Sequence, residues 1–262
     1  MKSFKNYLID LNLANNTIYA YINAIKNYFE SYNEFNKKNL SNKIYLIENF
    51  NAKTVNLKIQ AINKYLEFIK KKNLKIKSIK IQQQTFLENV ISNADYMFLK
   101  RKLKNENNKE YFIVFLGATG ARISELIKIK VEHVEFGYID IYTKGGKSRR
   151  IYIPIILKKE VMIIKEVLKI NSGYIFLNRF GKRITTRGIS QQLKNFATKY
   201  GIDQKVVYPH SFRHRYAKNF LEKYNDISLL ADLLGHESIQ TTRIYLRKTA
   251  NEQQEIVDKI VT

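Results

Sequence analysis

Apolar side chains in residues 1–80 recur every three or four positions, and that spacing leaves few folds open. Phe4, Leu8 and Leu11 form one set, Ile18, Ile22, Ile25 and Phe29 follow the capping-type Asn16, and Val55, Ile59, Ile62, Leu66 and Ile69 form a third. A helical turn returns such positions to one face, so each set predicts a helix with one buried stripe, and the stretch predicts a small all-helical domain.

The period is lost in "KKKNLKIKSIKIQQQ", Lys70 to Gln84, where lysine alternates with isoleucine before a glutamine run. A β-strand or a solvated loop fits that pattern as well as a basic linker does. A linker is preferred because a helical domain lies on one side and a mixed one on the other. The expected division is a helical domain at 1–80, a linker at 81–85, and a second domain at 86–262 that ends in a tail helix at 251–262.

Past the linker, "EYFIVFLGATGARISELIKIKVEHV" reads as a buried helix, a break at Thr119-Gly120, and a second helix with Arg122 and Glu125 three apart on one face. "YIDIYTKGGKSRRIYIPI" is a β-hairpin signal with Gly145 and Gly146 in the turn and Lys144 and Lys147 at the tip. The remainder is mostly helical, through Ile155 to Ile170, Thr186 to Tyr200 and onward. The expected fold class is mainly α with one small β-hairpin.

Charge narrows the partners. The chain has 46 Lys and Arg against 23 Asp and Glu, a formal net charge of +23. Such an excess opposes compaction unless a polyanion offsets it, which puts nucleic acid first. There is no cysteine, so disulfides, thiolate metal sites and a cysteine nucleophile are excluded. The start lacks the uninterrupted apolar core of a signal peptide, and no charge-free apolar run reaches about 18 residues. No membrane span and a cytoplasmic location are expected.

Basic residues bind phosphate but do not cut it. Phosphoryl transfer in DNA needs donors for the non-bridging oxygens, a nucleophile in line and an acid for the departing alkoxide. Arginine suits the first task by its planar fork, lysine or histidine can supply the proton, and tyrosine can supply the attacking oxygen.

"ATGARISEL", "TKGGKSRR", "HSFRH" and "LLGHESIQTTRIY", in that order, resemble the tyrosine recombinases, the phage-type integrases that include the Xer recombinases. The spacing is similar too, with 23 residues from Arg213 to His236 and 9 from His236 to Tyr245. The likeness is specific over roughly 110 to 250; over the first domain only helical content and position match. It implies a two-domain clamp around double-stranded DNA and the tyrosine recombinase catalytic fold. With no additional arm-binding domain, a simple Xer-like or mobile-element recombinase or a DNA invertase is expected.

Carried over residue by residue, the resemblance makes Tyr245 the nucleophile that forms a 3′-phosphotyrosyl link. Arg122 and Arg213 would hold the non-bridging oxygens, with His236 as a further donor. Lys144 would be the general acid, with Lys147 its nearest rival. His210 would accept or relay the tyrosine proton, and Glu125 would orient Arg122 or His210. His214 fits a structural part. No metal and no cofactor are implied, because arginines do the charge neutralisation. The resemblance also implies a homo-oligomer, four subunits joining two DNA sites through the tail, in which Ile256, Val257, Ile260 and Val261 form a short apolar stripe.

Among the other cations, Lys75, Lys77, Lys80, Lys147, Arg149 and Arg187 are candidate DNA contacts. For Arg149, Arg150, Arg183 and Arg187, a phosphate contact and a solvated surface fit equally. Two other readings compete with a recombinase: a DNA-binding protein that kept the fold and lost the chemistry, and a type IB topoisomerase-like enzyme. The first would carry a substitution at Tyr245 or an arginine, and these are intact; self-assembly on paired sites separates the second.

Overall fold

A helix with one apolar stripe is stable where another face covers that stripe, and the chain folds so that most such stripes are covered nearby. The computed structural model describes residues 2–36, 50–81, 88–106, 109–142, 148–248 and 250–260. Two compact units result, Met1–Gln83 and Gln84–Thr262.

In the first unit, α1 (Lys2–Asp10), α2 (Asn15–Ser31) and α3 (Ala52–Phe68) bring Phe4, Leu8, Ile18, Ile25, Ile62 and Leu66 into one core. Aromatic rings fill its end: Tyr28 stacks on Phe35 at 4.2 Å and Phe4 meets the edge of Tyr65 at 4.9 Å. Several details differ from the sequence pattern: Phe29 is exposed, and Ile69 caps α3 from outside it. Helix α2 opens at Asn15 behind Ala14, so Asn16 is inside it, and Leu11 lies beyond α1 and is exposed.

The basic stretch is not a free linker over its described part. Asn63 donates from Nδ2 to the Ile76 carbonyl (2.8 Å) and accepts the Ile76 N–H (2.9 Å), and Asn56 makes the same pair of bonds with Ile79, each at 2.9 Å. The two asparagines are seven residues apart on α3, about 10 Å along the axis at 1.5 Å per residue. Three extended residues cover about the same length. The match in length lets one helix face hold the segment from Ile76 to Ile79, with Lys75, Lys77 and Lys80 left exposed. Lys75 donates to Glu67 (2.6 Å). Most of the expected linker at 81–85 lies outside the described residues.

The second unit is built around α5 (Tyr111–Thr119), which follows α4 (Asn93–Lys104) and whose residues Tyr111 to Leu116 are all buried. An apolar surface on every side places this helix at the centre of a core. Short helices α6 (Ile123–Leu126) and α7 (Val131–Phe136) lead into β1 (Tyr138–Tyr142) and β2 (Ser148–Tyr152), which pair antiparallel with Ile141 opposite Arg149 and Ile139 opposite Ile151. Next come α8 (Ile156–Leu168), α9 (Thr186–Tyr200), α10 (Pro209–Tyr224), α11 (Ile227–Leu234) and α12 (Ile239–Thr242). A 3₁₀ turn (Arg243–Leu246) and α13 (Ala250–Ile260) complete the chain. Helix α10 packs against α5, and its buried Ser211 hydroxyl accepts the Ile91 N–H at 2.7 Å. The mainly helical fold with one hairpin is as the sequence pattern predicts. No helix among the described residues is long and apolar enough to cross a membrane.

Candidate active site

The last carbonyls of a helix have no partner within it and form the negative end of its dipole. At the end of α11 three successive carbonyls each accept an arginine: Leu233 from Arg149 Nη2 (2.8 Å), Leu234 from Arg213 Nη2 (2.7 Å) and Gly235 from Arg122 Nη2 (3.1 Å). The chain can turn there because Gly235 is left-handed (φ 60°) and the His236 N–H bonds back to the Ala231 carbonyl at 3.0 Å. A side chain at Gly235 would also meet Arg149 Cδ at 2.2 Å.

The arginines arrive from separate elements. Arg122 precedes α6 as its N-cap, not as a residue on its face, and Glu125 reaches back to the Arg122 N–H (2.8 Å) and to its Nη1 (3.1 Å). Glu125 also accepts Arg149 Nη1 at 2.6 Å. Its bonded partners are thus Arg122 and Arg149, and Arg122 is the one of the two expected partners that it holds. Arg213, on α10 and 2% exposed, donates from Nη1 to the Gly120 carbonyl (2.6 Å). Gly120 forms the expected break: it is left-handed (φ 58°), and a Cβ there would meet the Tyr216 ring at 2.6 Å. Burial draws the Arg213 guanidinium down to about 10, with Tyr245 beside it opposing the fall, so it stays charged at neutral pH.

His236 joins this cluster. Arg213 Nη2 donates to its Nε2 (2.9 Å), and its Nδ1 lies 2.7 Å from the Thr242 hydroxyl. An arginine nitrogen can only donate, so Nε2 is the acceptor and the ring proton sits on Nδ1. Burial first, and then Arg213, Arg122 and Arg149, hold the imidazole down to about 4, which keeps it neutral. Tyr245, on the 3₁₀ turn and 5% exposed, lies with its ring parallel to His236 at 6.0 Å and edge-on to His214 at 5.2 Å. His210, at the start of α10, is exposed and lies 6.1 Å from His214. Although the residue as a whole is exposed, partial desolvation of its ring, and then Arg213 and Arg122, lower its pKa. His214 is held down to about 4, by burial first.

Arg122, Glu125, Arg213, His236 and Tyr245 therefore meet in one place, with His210 beside them. Lys144 and Lys147 lie outside the described residues. Arg187 is exposed on α9. Arg149, expected as a DNA contact or a solvated surface residue, is instead 9% exposed and uses its fork inside the protein. Strand alternation carried the signal, since Arg149 shares the inward face of the hairpin with Ile139, Ile141 and Ile151. Thr242, fully buried, was not singled out either. Arg122, Arg149, Arg150, Tyr152, Gly235 and His236 line part of an open cavity of ≈ 570 Å³. No group of three or more His, Asp or Glu among the described residues is placed to hold a metal ion.

Three comparisons bear on this geometry. The model of the phage integrase family matches residues 87–252. The chain is 29% identical over 221 residues to tyrosine recombinase XerA of Pyrococcus furiosus, covering 80% of this chain and 75% of that one. It is 28% identical over 269 residues to XerA of Pyrococcus horikoshii, covering 99% and 92%. The fold is similar, at a TM-score of 0.75 and 15% identity, to the crystal structure of a lambda integrase tetramer bound to a Holliday junction, over 93% of this chain and 75% of that one.

Proposed function

Because the chain belongs to the phage integrase family, as an Xer-like tyrosine recombinase, we propose that it breaks and rejoins DNA at specific sites by way of Tyr245. The Tyr245 oxygen attacks the scissile phosphorus, the bond to the 5′-oxygen breaks, and a 3′-phosphotyrosyl link remains. Rejoining reverses the step with a 5′-hydroxyl as nucleophile, so bond energy is kept and no nucleotide cofactor is needed.

The observation that carries this reading is the convergence on one helix end: Leu234 and Gly235 hold Arg213 and Arg122, His236 follows them, and Tyr245 lies against His236. Each arginine keeps N–H groups beyond those bonded here for the two non-bridging oxygens. Neutral His210 is suited to take the tyrosine proton. His236 serves as a donor once its proton moves to Nε2 and Arg213 Nη2 turns from that nitrogen to the phosphate, and Thr242 supports the exchange because a hydroxyl can accept from Nδ1 or donate to it. Lys144 is assigned as the acid for the 5′-oxygen by its position in the sequence.

Lys75, Lys77, Lys80, Lys147 and Arg187 are proposed as phosphate contacts. Four subunits are proposed to join two DNA sites in the cytoplasm, with the tail acting on a neighbouring subunit. Lys218 donates to Glu252 and tethers the first turn of α13 to its own unit, whereas Ile256, Val257 and Ile260 are 40%, 53% and 76% exposed, which favours a partner for that stripe.

A duplex selected by the protein from a randomised pool, nicked near the cleavage point so that the covalent complex accumulates, tests the nucleophile. Tyr245→Phe is expected to bind it with normal affinity and to give no covalent band on a denaturing gel; a persistent band overturns the assignment. A 5′-bridging phosphorothiolate tests the acid, since its thiolate leaves without a proton. It is expected to restore cleavage by Lys144→Ala and not by Arg122→Ala.

A further inference from the structure

Arg149 is a buried charge that the reaction as described does not use. A cation on the inward face of a strand, among isoleucines and close to Arg122 and Arg213, is costly, and an apolar side chain of similar volume would suit the packing better. Its contacts indicate what it does there. Nη1 binds Glu125 at 2.6 Å, the carboxylate that also takes Arg122 Nη1 and the Arg122 N–H. Nη2 binds the Leu233 carbonyl at 2.8 Å, two residues before the Gly235 carbonyl that takes Arg122 Nη2. Its Cδ lies so close to Gly235 that no side chain fits at that position. Arg149 thus binds one of the two groups that hold Arg122, Glu125, and lies against the turn at Leu233 to Gly235 that supplies the other and carries His236.

We propose that Arg149 is a positioning residue for DNA cleavage: through Glu125 it sets the direction of the Arg122 guanidinium, and through Leu233 and Gly235 it sets the place of His236. This rests on the reading of Arg122 and His236 as donors to the scissile phosphate. Arg149 itself does not touch the DNA. Lysine cannot replace it, because one ammonium cannot span Glu125 and Leu233 as a planar fork does.

The test uses the full chain and the selected, nicked duplex, made with either a phosphodiester or a methylphosphonate at the cleavage point. The methylphosphonate lacks one charged oxygen and so depends less on a correctly aimed second guanidinium. Arg149→Lys and Arg149→Met are expected to bind DNA within about 3-fold of the unmodified protein and to cleave the phosphodiester about 10- to 100-fold more slowly. The ratio of methylphosphonate to phosphodiester rates should rise about 10-fold or more, as in Arg122→Ala. Glu125→Gln, which keeps the side-chain shape, should show the same rise and decides the matter if the Arg149 variants do not fold.

Equal loss on both substrates would mean a merely structural part and overturns the proposal. So does weakened DNA binding with normal cleavage at saturation, which would make Arg149 a phosphate contact. If the unmodified protein forms no covalent complex, the cleavage reading fails; if it does and Arg149→Lys matches it, only this inference fails.

Discussion

The environments of His214 and His236 differ between the folded and the unfolded chain in a way that titrates below neutral pH. Both imidazoles are held at about 4, against an ordinary value of 6.5. The unfolded chain therefore binds these protons first as the pH falls, and protonation favours unfolding. Their contribution to stability is fully present above pH 6.5 and is lost as the pH falls toward 4. The melting temperature should accordingly fall across that window, and His214→Phe, which keeps a ring against Tyr245, should flatten the fall. The carboxylates of Glu67 and Glu106, held at about 2 by their lysine partners, lose their contribution below 4.5, a lower window that leaves the histidine effect distinguishable. A melting temperature constant from pH 6.5 to 5 would contradict the burial argument for both rings.

Two elements do work that their sequences do not announce. Helix α11 is short, yet its last carbonyls gather three guanidinium groups, each a favourable contact of about 0.3–2 kcal/mol with the negative end of a helix. Helix α3 holds the Ile76 to Ile79 segment through Asn56 and Asn63, which satisfy the backbone of Ile76 and Ile79 without a β-ladder. Each bond is worth about 0.5–1.5 kcal/mol net, so the four together hold the segment without making the unit depend on them. Asn56→Ala with Asn63→Ala should leave the helical content unchanged while speeding trypsin cleavage after Lys75, Lys77 and Lys80 by about 10-fold or more, following the local opening equilibrium. Unchanged cleavage would show that the segment is held by something else.

For the whole molecule, the excess of 23 positive charges and the exposed tail stripe point to assembly on DNA. A short amphipathic helix is not stable alone in water, so the stripe on α13 gains from a groove. Removing residues 251–262 is expected to leave single-site binding nearly intact and to reduce pairing of two sites in a bridging assay, with recombination falling alongside. A truncated protein that pairs sites at the full rate would show that the tail couples nothing.

The sequence alone determined what depends on neighbours a few positions apart. Helical spacing marked the stripes of α1 to α3, strand alternation and the Gly145-Gly146 turn marked the hairpin, and the order and spacing of Arg122, Arg213, His236 and Tyr245 marked the family. It left undecided what depends on contacts between distant residues. Arg149 and Arg150 are adjacent in the chain, yet one is buried against Glu125 and Leu233, 24 and 84 residues away, and the other is exposed against Asp140 across the hairpin. Arg122 reaches Gly235 across 113 residues. Charge and periodicity show that a cation is present and which face it takes. Only the folded chain decides whether that face meets water or a helix end and a carboxylate, because burial is a property of the assembled surfaces and not of the local sequence.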